Sequence, residues 1–232
     1  MNDDGSQRSD DTLVTCFFDE AEALRAGREP PRPRVDLPGV SRGAVASVAL
    51  RIGSRRIALL CGDGFVVGRQ RSCSIVPPSP PQGDETARRR SLKVSRRHCV
   101  VFFGDAGWCV RDGEGDRRSS FGTWWLGQQV EGVAFIGSQR GLLSLGGPSA
   151  VDSVAFDVGS LGASLVLSSR PDAAEVHVLL RGETPLDALD ASLAGLWVRF
   201  ADGGIRWRRG GESGTLVPGT HVPGASGDLW VE

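Results

Sequence analysis

The chain has 232 residues, 40% hydrophobic and 24% charged with a formal charge of −1, enough apolar material for a domain with a real core and too much for a wholly disordered chain. Its apolar runs fall far short of the roughly 20 residues a bilayer needs, and its N-terminal residues are acidic, so neither a membrane span nor a secretory signal is expected. Five cysteines, odd in number, without Cys-x-x-Cys spacing and mostly within apolar stretches, point to buried thiols in a reducing compartment, the cytoplasm.

Residues 1–43 read as a flexible N-terminal tail. Asp11 is placed to cap a short amphipathic helix over residues 12–26, with Leu13, Phe17, Ala21 and Leu24 on one face, and the proline-rich Glu29 to Arg34 follows as an extended linker. From Ala44 the texture changes to alternation and turns. Strands are expected at residues 45–52, 56–61, 65–67, 73–76, 98–103, 108–112, 123–126, 142–145 and 153–158. The long interruption from Pro77 to Val94 reads as a loop carrying Arg88, Arg89, Arg90 and Lys93, which could reach acidic residues on a partner. Beyond residue 158 a mainly β C-terminal region of unassigned role is expected. It holds alternations at 163–167 and 175–180, a short helix opened by Thr184-Pro185, and a hairpin turning at Asp202-Gly203-Gly204.

The net charge hides a segregation: residues 44–158 carry +5, while each flank carries −3. A basic middle suits an anionic partner or an acidic tail folding onto it. Within it, Gly68-Arg69, Ser95-Arg96-Arg97-His98, Trp108-Cys109-Val110-Arg111-Asp112 and Ser120-Phe121-Gly122-Thr123 each sit where a strand meets a loop. A guanidinium fork beside hydroxyl donors at a strand edge can hold a phosphate dianion.

In their order and approximate spacing, these four segments resemble the forkhead-associated (FHA) domain, a phosphothreonine-reading β-sandwich. The likeness covers about residues 44–158. It implies an all-β fold, a sandwich of two sheets with about eleven strands and the ligand held by loops at one end. It also implies that Arg69, Ser95, Arg96 and Ser120 contact the phosphopeptide, while Gly68, His98, Gly122 and Thr123 support the site. Phe121 stands where the family has an asparagine that clamps the peptide backbone, and it has no side-chain hydrogen-bonding group.

The expected function is a non-enzymatic adaptor that binds phosphothreonine segments written by a Ser/Thr kinase. The alternative is a degenerate FHA scaffold for phosphate-independent assembly, for example in a secretion or signalling complex. Thr12, after Asp10-Asp11, makes the chain's own tail a further candidate partner. Ser95, His98 and Asp112 could suggest a hydrolase, but no Gly-x-Ser-x-Gly elbow accompanies them, and no glycine pattern fits a dinucleotide or phosphate loop. His98, His177 and His221 lack zinc spacing, so no metal or cofactor is expected. Trp124-Trp125 beside Arg88 to Arg97 raises nucleic acid, against which the local extent of the basic patch and a pI near 6.3 both count.

Overall fold

The computed structural model describes residues 46–137, 139–169, 174–222 and 229–232. The expected helix over 12–26, its linker and Thr12 lie outside these residues. The described chain opens with strands β1 (Ala46–Ile52), β2 (Arg55–Cys61) and β3 (Gly64–Val67), then helix α1 (Glu85–Lys93), then β4 (Cys99–Gly104) and β5 (Gly107–Asp112). Next come β6 (Thr123–Trp125), β7 (Gln128–Gln129), β8 (Val133–Phe135), β9 (Gly141–Leu145), β10 (Val154–Leu161), β11 (Ser164–Ser169) and β12 (Glu175–Leu179). The C-terminal part adds β13 (Thr184–Pro185), β14 (Leu196–Ala201), β15 (Gly204–Arg209), β16 (Glu212–Thr215) and β17 (Leu229–Val231).

The strands form a nine-stranded sheet ordered β17-β1-β2-β12-β11-β10-β9-β6-β7 and two four-stranded sheets, β3-β4-β5-β8 and β13-β14-β15-β16. The expected all-β sandwich is present: the nine-stranded sheet faces β3-β4-β5-β8 across a core built on Phe65, Val101, Trp108, Val110, Leu143 and Phe156. Within that core the Trp108 indole N–H donates to the Ala163 carbonyl at 2.8 Å, which satisfies its one polar atom. A second core lies on the opposite face of β2 and β12, where Ile57, Leu59, Val176 and Val178 pack with Leu196, Val198 and Ile205 of the C-terminal sheet. The continuous apolar run Ile57–Leu60 is thereby explained, since both faces of β2 are covered.

β10 continues past residue 158 to Leu161, and β12 inserts between β11 and β2, pairing parallel with β2 through Val176↔Ile57 and Val178↔Leu59. β17 then extends the same sheet beyond β1 through Leu50↔Val231. The hairpin predicted at Asp202 is present, with Asp202 and Gly203 both at positive φ between β14 and β15, the geometry of a two-residue hairpin turn.

Three local expectations are corrected. The stretch from Pro77 to Val94 is not all loop, because residues 85–93 form α1, with the Asp84 side chain accepting from the Ala87 N–H at 2.8 Å. No residue of α1 is buried, so the helix has no apolar stripe for a periodicity reading to detect. Thr184-Pro185 does not open a helix: the Thr184 hydroxyl is bound to that of Ser164 at 2.6 Å rather than free to cap, and the pair forms β13. Residues 73–76 form a single bridge between Ile75 and Val67 rather than a strand.

Candidate functional site

Three loops converge at one end of the sandwich: residues 68–70 after β3, 95–98 after α1, and 119–122 before β6. The first two are stitched by backbone bonds, Arg69 N–H to the Ser95 carbonyl at 3.2 Å and Gln70 N–H to the Arg96 carbonyl at 3.0 Å. This closeness requires glycine at 68, because a Cβ there would lie 2.4 Å from the Arg96 carbonyl oxygen. The second and third loops meet where the Ser95 hydroxyl oxygen accepts from the Ser120 N–H at 3.1 Å.

His98 ties all three together from inside. It is fully buried, its N–H donates to the Val67 carbonyl at 2.8 Å, and its Nδ1 accepts from the Ser95 N–H at 2.9 Å. Accepting at Nδ1 leaves the ring proton on Nε2, which donates to the Gly122 carbonyl at 3.0 Å. Burial holds the imidazole below its ordinary pKa, outweighing the Gly122 bond and the Asp112 charge that favour protonation. The ring is a neutral brace in one tautomer.

Asp112, at the end of β5, organises the third loop. Its carboxylate accepts from the Ser119 hydroxyl at 2.6 Å, the Ser119 N–H at 3.2 Å and the buried Thr123 hydroxyl at 2.6 Å. Ser119 Oγ in turn accepts from the Gly122 N–H at 2.9 Å, closing a turn in which Gly122 has φ +78°. The importance of Ser119 was not legible from its sequence position beside Ser120; only the fold shows that Ser119 points inward while Ser120 is exposed.

All eight sequence-predicted residues, Gly68, Arg69, Ser95, Arg96, His98, Ser120, Gly122 and Thr123, therefore belong to one cluster. Arg69, Arg96 and Ser120 are exposed at its mouth and Ser95 is half-buried, while His98, Gly122 and Thr123 are buried beneath. Neither Arg69 nor Arg96 has a side-chain partner among the described residues, whereas the neighbouring Arg97 is ion-paired with Glu114. Two uncompensated guanidinium groups beside two hydroxyls form a mouth suited to an oxyanion. Phe121 stands 54% exposed next to Ser120, and its carbonyl accepts from the Trp124 indole N–H at 3.4 Å.

Ser95, His98 and Asp112 are neighbours but do not form a relay. Neither nitrogen of His98 meets the Ser95 hydroxyl, and Asp112 accepts from Ser119 and Thr123 instead of orienting the imidazole. The free thiols Cys61, Cys73, Cys99 and Cys109 all have pKa values raised by burial, the opposite of an activated nucleophile.

A β-sandwich whose loops gather hydroxyls and free arginines at one end is the architecture of an interaction module. Residues 65–138 match the family model of the FHA domain, and the chain carries an FHA domain over that segment. The crystal structure of Mycobacterium tuberculosis Rv1747 FHA-1 is a structural relative, 21% identical, covering 49% of this chain and 95% of that one with a TM-score of 0.31. No curated protein matches the chain.

Proposed function

We propose that the protein is a phosphothreonine-peptide-binding adaptor acting downstream of a Ser/Thr kinase. The observation that carries this reading is the uncompensated pair Arg69 and Arg96 held beside the Ser95 and Ser120 hydroxyls by backbone bonds between the loops. In this reading Arg69, Ser95 and Ser120 take the phosphate oxygens and Arg96 its rim, with Gly68, His98, Gly122 and Thr123 as support. Each hydrogen bond to the charged group contributes about 1.5–3 kcal/mol, so three of them separate a phosphorylated from a bare peptide. In this reading the two-sheet sandwich, which reaches past residue 158 through β11, β12 and β17, is the working domain, and the four-stranded C-terminal sheet packs against it as a buttress. The four cysteines among the described residues are free thiols, which fits a reducing cytoplasm.

The test is fluorescence-polarisation binding of the full chain to a degenerate phosphothreonine peptide library, with unphosphorylated and phosphoserine twins, at physiological salt. Selective binding that Arg69→Ala and Ser95→Ala each abolish supports the reading; equal binding of all three peptide sets refutes it. The exposure of Phe121 favours a second reading, phosphate-independent assembly of a secretion or signalling complex through the same loops. Partners that stay bound after phosphatase treatment would support that reading over the first.

A further inference from the structure

Helix α1 buries none of its nine residues, and its three consecutive arginines, Arg88, Arg89 and Arg90, are followed by Lys93 in the last turn. Residues 84–97 hold six basic side chains and two acidic ones, in a chain of net charge −1. Both carboxylates are engaged locally: Asp84 caps the helix, and Glu85 lies 3.5 Å from Arg88 and from Arg89. These pairs are weak, since the three side chains are 58–77% exposed. Arg90 and Lys93 have no carboxylate partner among the described residues, and Arg89 and Lys93, four positions apart, repel. A nine-residue helix without a buried face is marginal by itself, so this clustering of like charge costs stability in the free chain.

The helix is fixed to the candidate site at its C-terminal end. Val94, which follows it, is buried in the sandwich core, and Ser95 and Arg96 of the site come next. Lys93 packs against Gly146, where an added Cβ would meet the Lys93 Cβ at 2.6 Å. The Gly146 N–H donates at 3.0 Å to the Gly122 carbonyl, the same one that His98 Nε2 reaches. The Lys93 ammonium donates to the Asp152 backbone carbonyl at 2.9 Å, a neutral group. From this anchor α1 carries the basic surface about 14 Å away from the Ser95 loop, a distance that about four extended peptide residues span.

We propose that α1 is a docking surface for an acidic peptide run, so that the partner segment is a phosphothreonine flanked on one side by about four residues rich in aspartate and glutamate. The inference rests on the phosphothreonine reading of the mouth and names a class of partner that the mouth alone does not. Charge complementarity carries it: Arg69 and Arg96 serve the phosphate, whereas Arg88, Arg89 and Arg90 stand beyond it with one weakly held carboxylate among them. Carboxylates accept from these guanidinium groups without displacing packed side chains, because α1 buries none. They also offset the repulsion along the helix. A peptide is favoured over a nucleic acid because α1 carries no aromatic side chain on which a base would stack.

The experiment measures fluorescence-polarisation binding of the full chain to threonine peptides with and without the phosphate, each with an Asp/Glu run or a Ser/Gly run on either side. At low salt the phosphopeptide with an acidic run on one side is expected to bind about tenfold tighter than its neutral counterpart, and the ratio to shrink at physiological salt. Joint replacement Arg88→Gln, Arg89→Gln and Arg90→Gln, which keeps good helix formers, is expected to bring that ratio to about twofold or less. The same loss of charge at Arg199, Arg206 and Arg208 on β14 and β15 is expected to leave the ratio in place. A neutral phosphopeptide that binds no better than its unphosphorylated twin refutes the phosphothreonine reading and this inference with it. Phosphate-dependent binding without a gain from either acidic flank overturns this inference alone, as does a gain that the α1 variant retains or that the β14–β15 variant loses equally. A single-stranded oligonucleotide that displaces the acidic phosphopeptide as well as the unlabelled peptide does overturns it in favour of a general polyanion surface.

Discussion

Gly68→Ala tests whether the loops of the candidate site are held by close backbone approach. A Cβ at position 68 meets the Arg96 carbonyl oxygen at 2.4 Å, with the Arg96 carbonyl carbon and Arg97 Cα at 2.9 Å. All three are backbone atoms, so no side chain can swing aside. The oxygen must retreat about 0.6 Å to reach 3.0 Å, the nearest distance Cβ atoms tolerate. That same oxygen accepts from Gln70 N–H at 3.0 Å, and the flanking Arg69 N–H to Ser95 bond is already 3.2 Å, so the shift takes both to or past hydrogen-bond length. Losing two backbone hydrogen bonds costs about 1 kcal/mol each, and forced overpacking about 1–3 kcal/mol, for a destabilisation of about 3–5 kcal/mol. Urea unfolding followed by tryptophan fluorescence measures it. Phosphopeptide affinity is expected to fall at least about tenfold, because Arg69 and Ser95 separate. A variant within about 0.5 kcal/mol of the parent that binds equally well would refute this account of the loops.

Other expected outcomes concern the cluster beneath the loops, the buried histidines and the second core. Asp112→Ala removes the acceptor of three hydrogen bonds and is expected to lower stability by about 2–4 kcal/mol and weaken peptide binding, measured by the same two assays. His177 is neutral when folded, so its contribution is complete above pH 6.5 and is lost as pH falls toward about 4. Unfolding curves across that window should show roughly 3 kcal/mol of loss from this residue, absent in His177→Phe. His98 shifts in the same direction, so as pH falls through its lowered pKa, protonation of Nδ1 is expected to break its bond with the Ser95 N–H and weaken peptide binding; affinity unchanged while NMR shows His98 taking up its proton would contradict this brace. Truncation after residue 183 uncovers Ile57, Leu59, Val176 and Val178 and removes β17, so the shortened chain is expected to aggregate or to unfold at lower urea than the full chain.

Much of the sandwich was legible because several of its hairpins carry a local signal. Strands β1, β2, β4, β5 and β14 show alternation or apolar runs bounded by turn residues, and such signals act over a few neighbours. The candidate binding cluster was legible for a related reason. Gly68, Ser95, His98 and Ser120 stand at strand ends within distinctive short motifs, so residue type and order alone brought them forward. Helix α1 escaped notice because it buries nothing, and Ser119 because its role depends on Asp112, seven residues away along the chain.

What the sequence determined by itself is therefore local: most of the longer strands, the hairpin turn at Asp202-Gly203, and the residue types able to grip an anion. Which strands become neighbours was decided by tertiary structure. The insertion of β12 parallel to β2, the burial of both faces of Ile57–Leu60 and the addition of β17 beside β1 join segments more than 100 residues apart. The physical reason is that such pairings are selected by mutual burial of apolar faces, which no window of neighbouring residues contains. The same holds for His177. Its sequence marks only an isolated histidine in an apolar strand, and its neutrality arises because burial beside Ala58 of β2, brought from elsewhere in the chain, disfavours the charged ring.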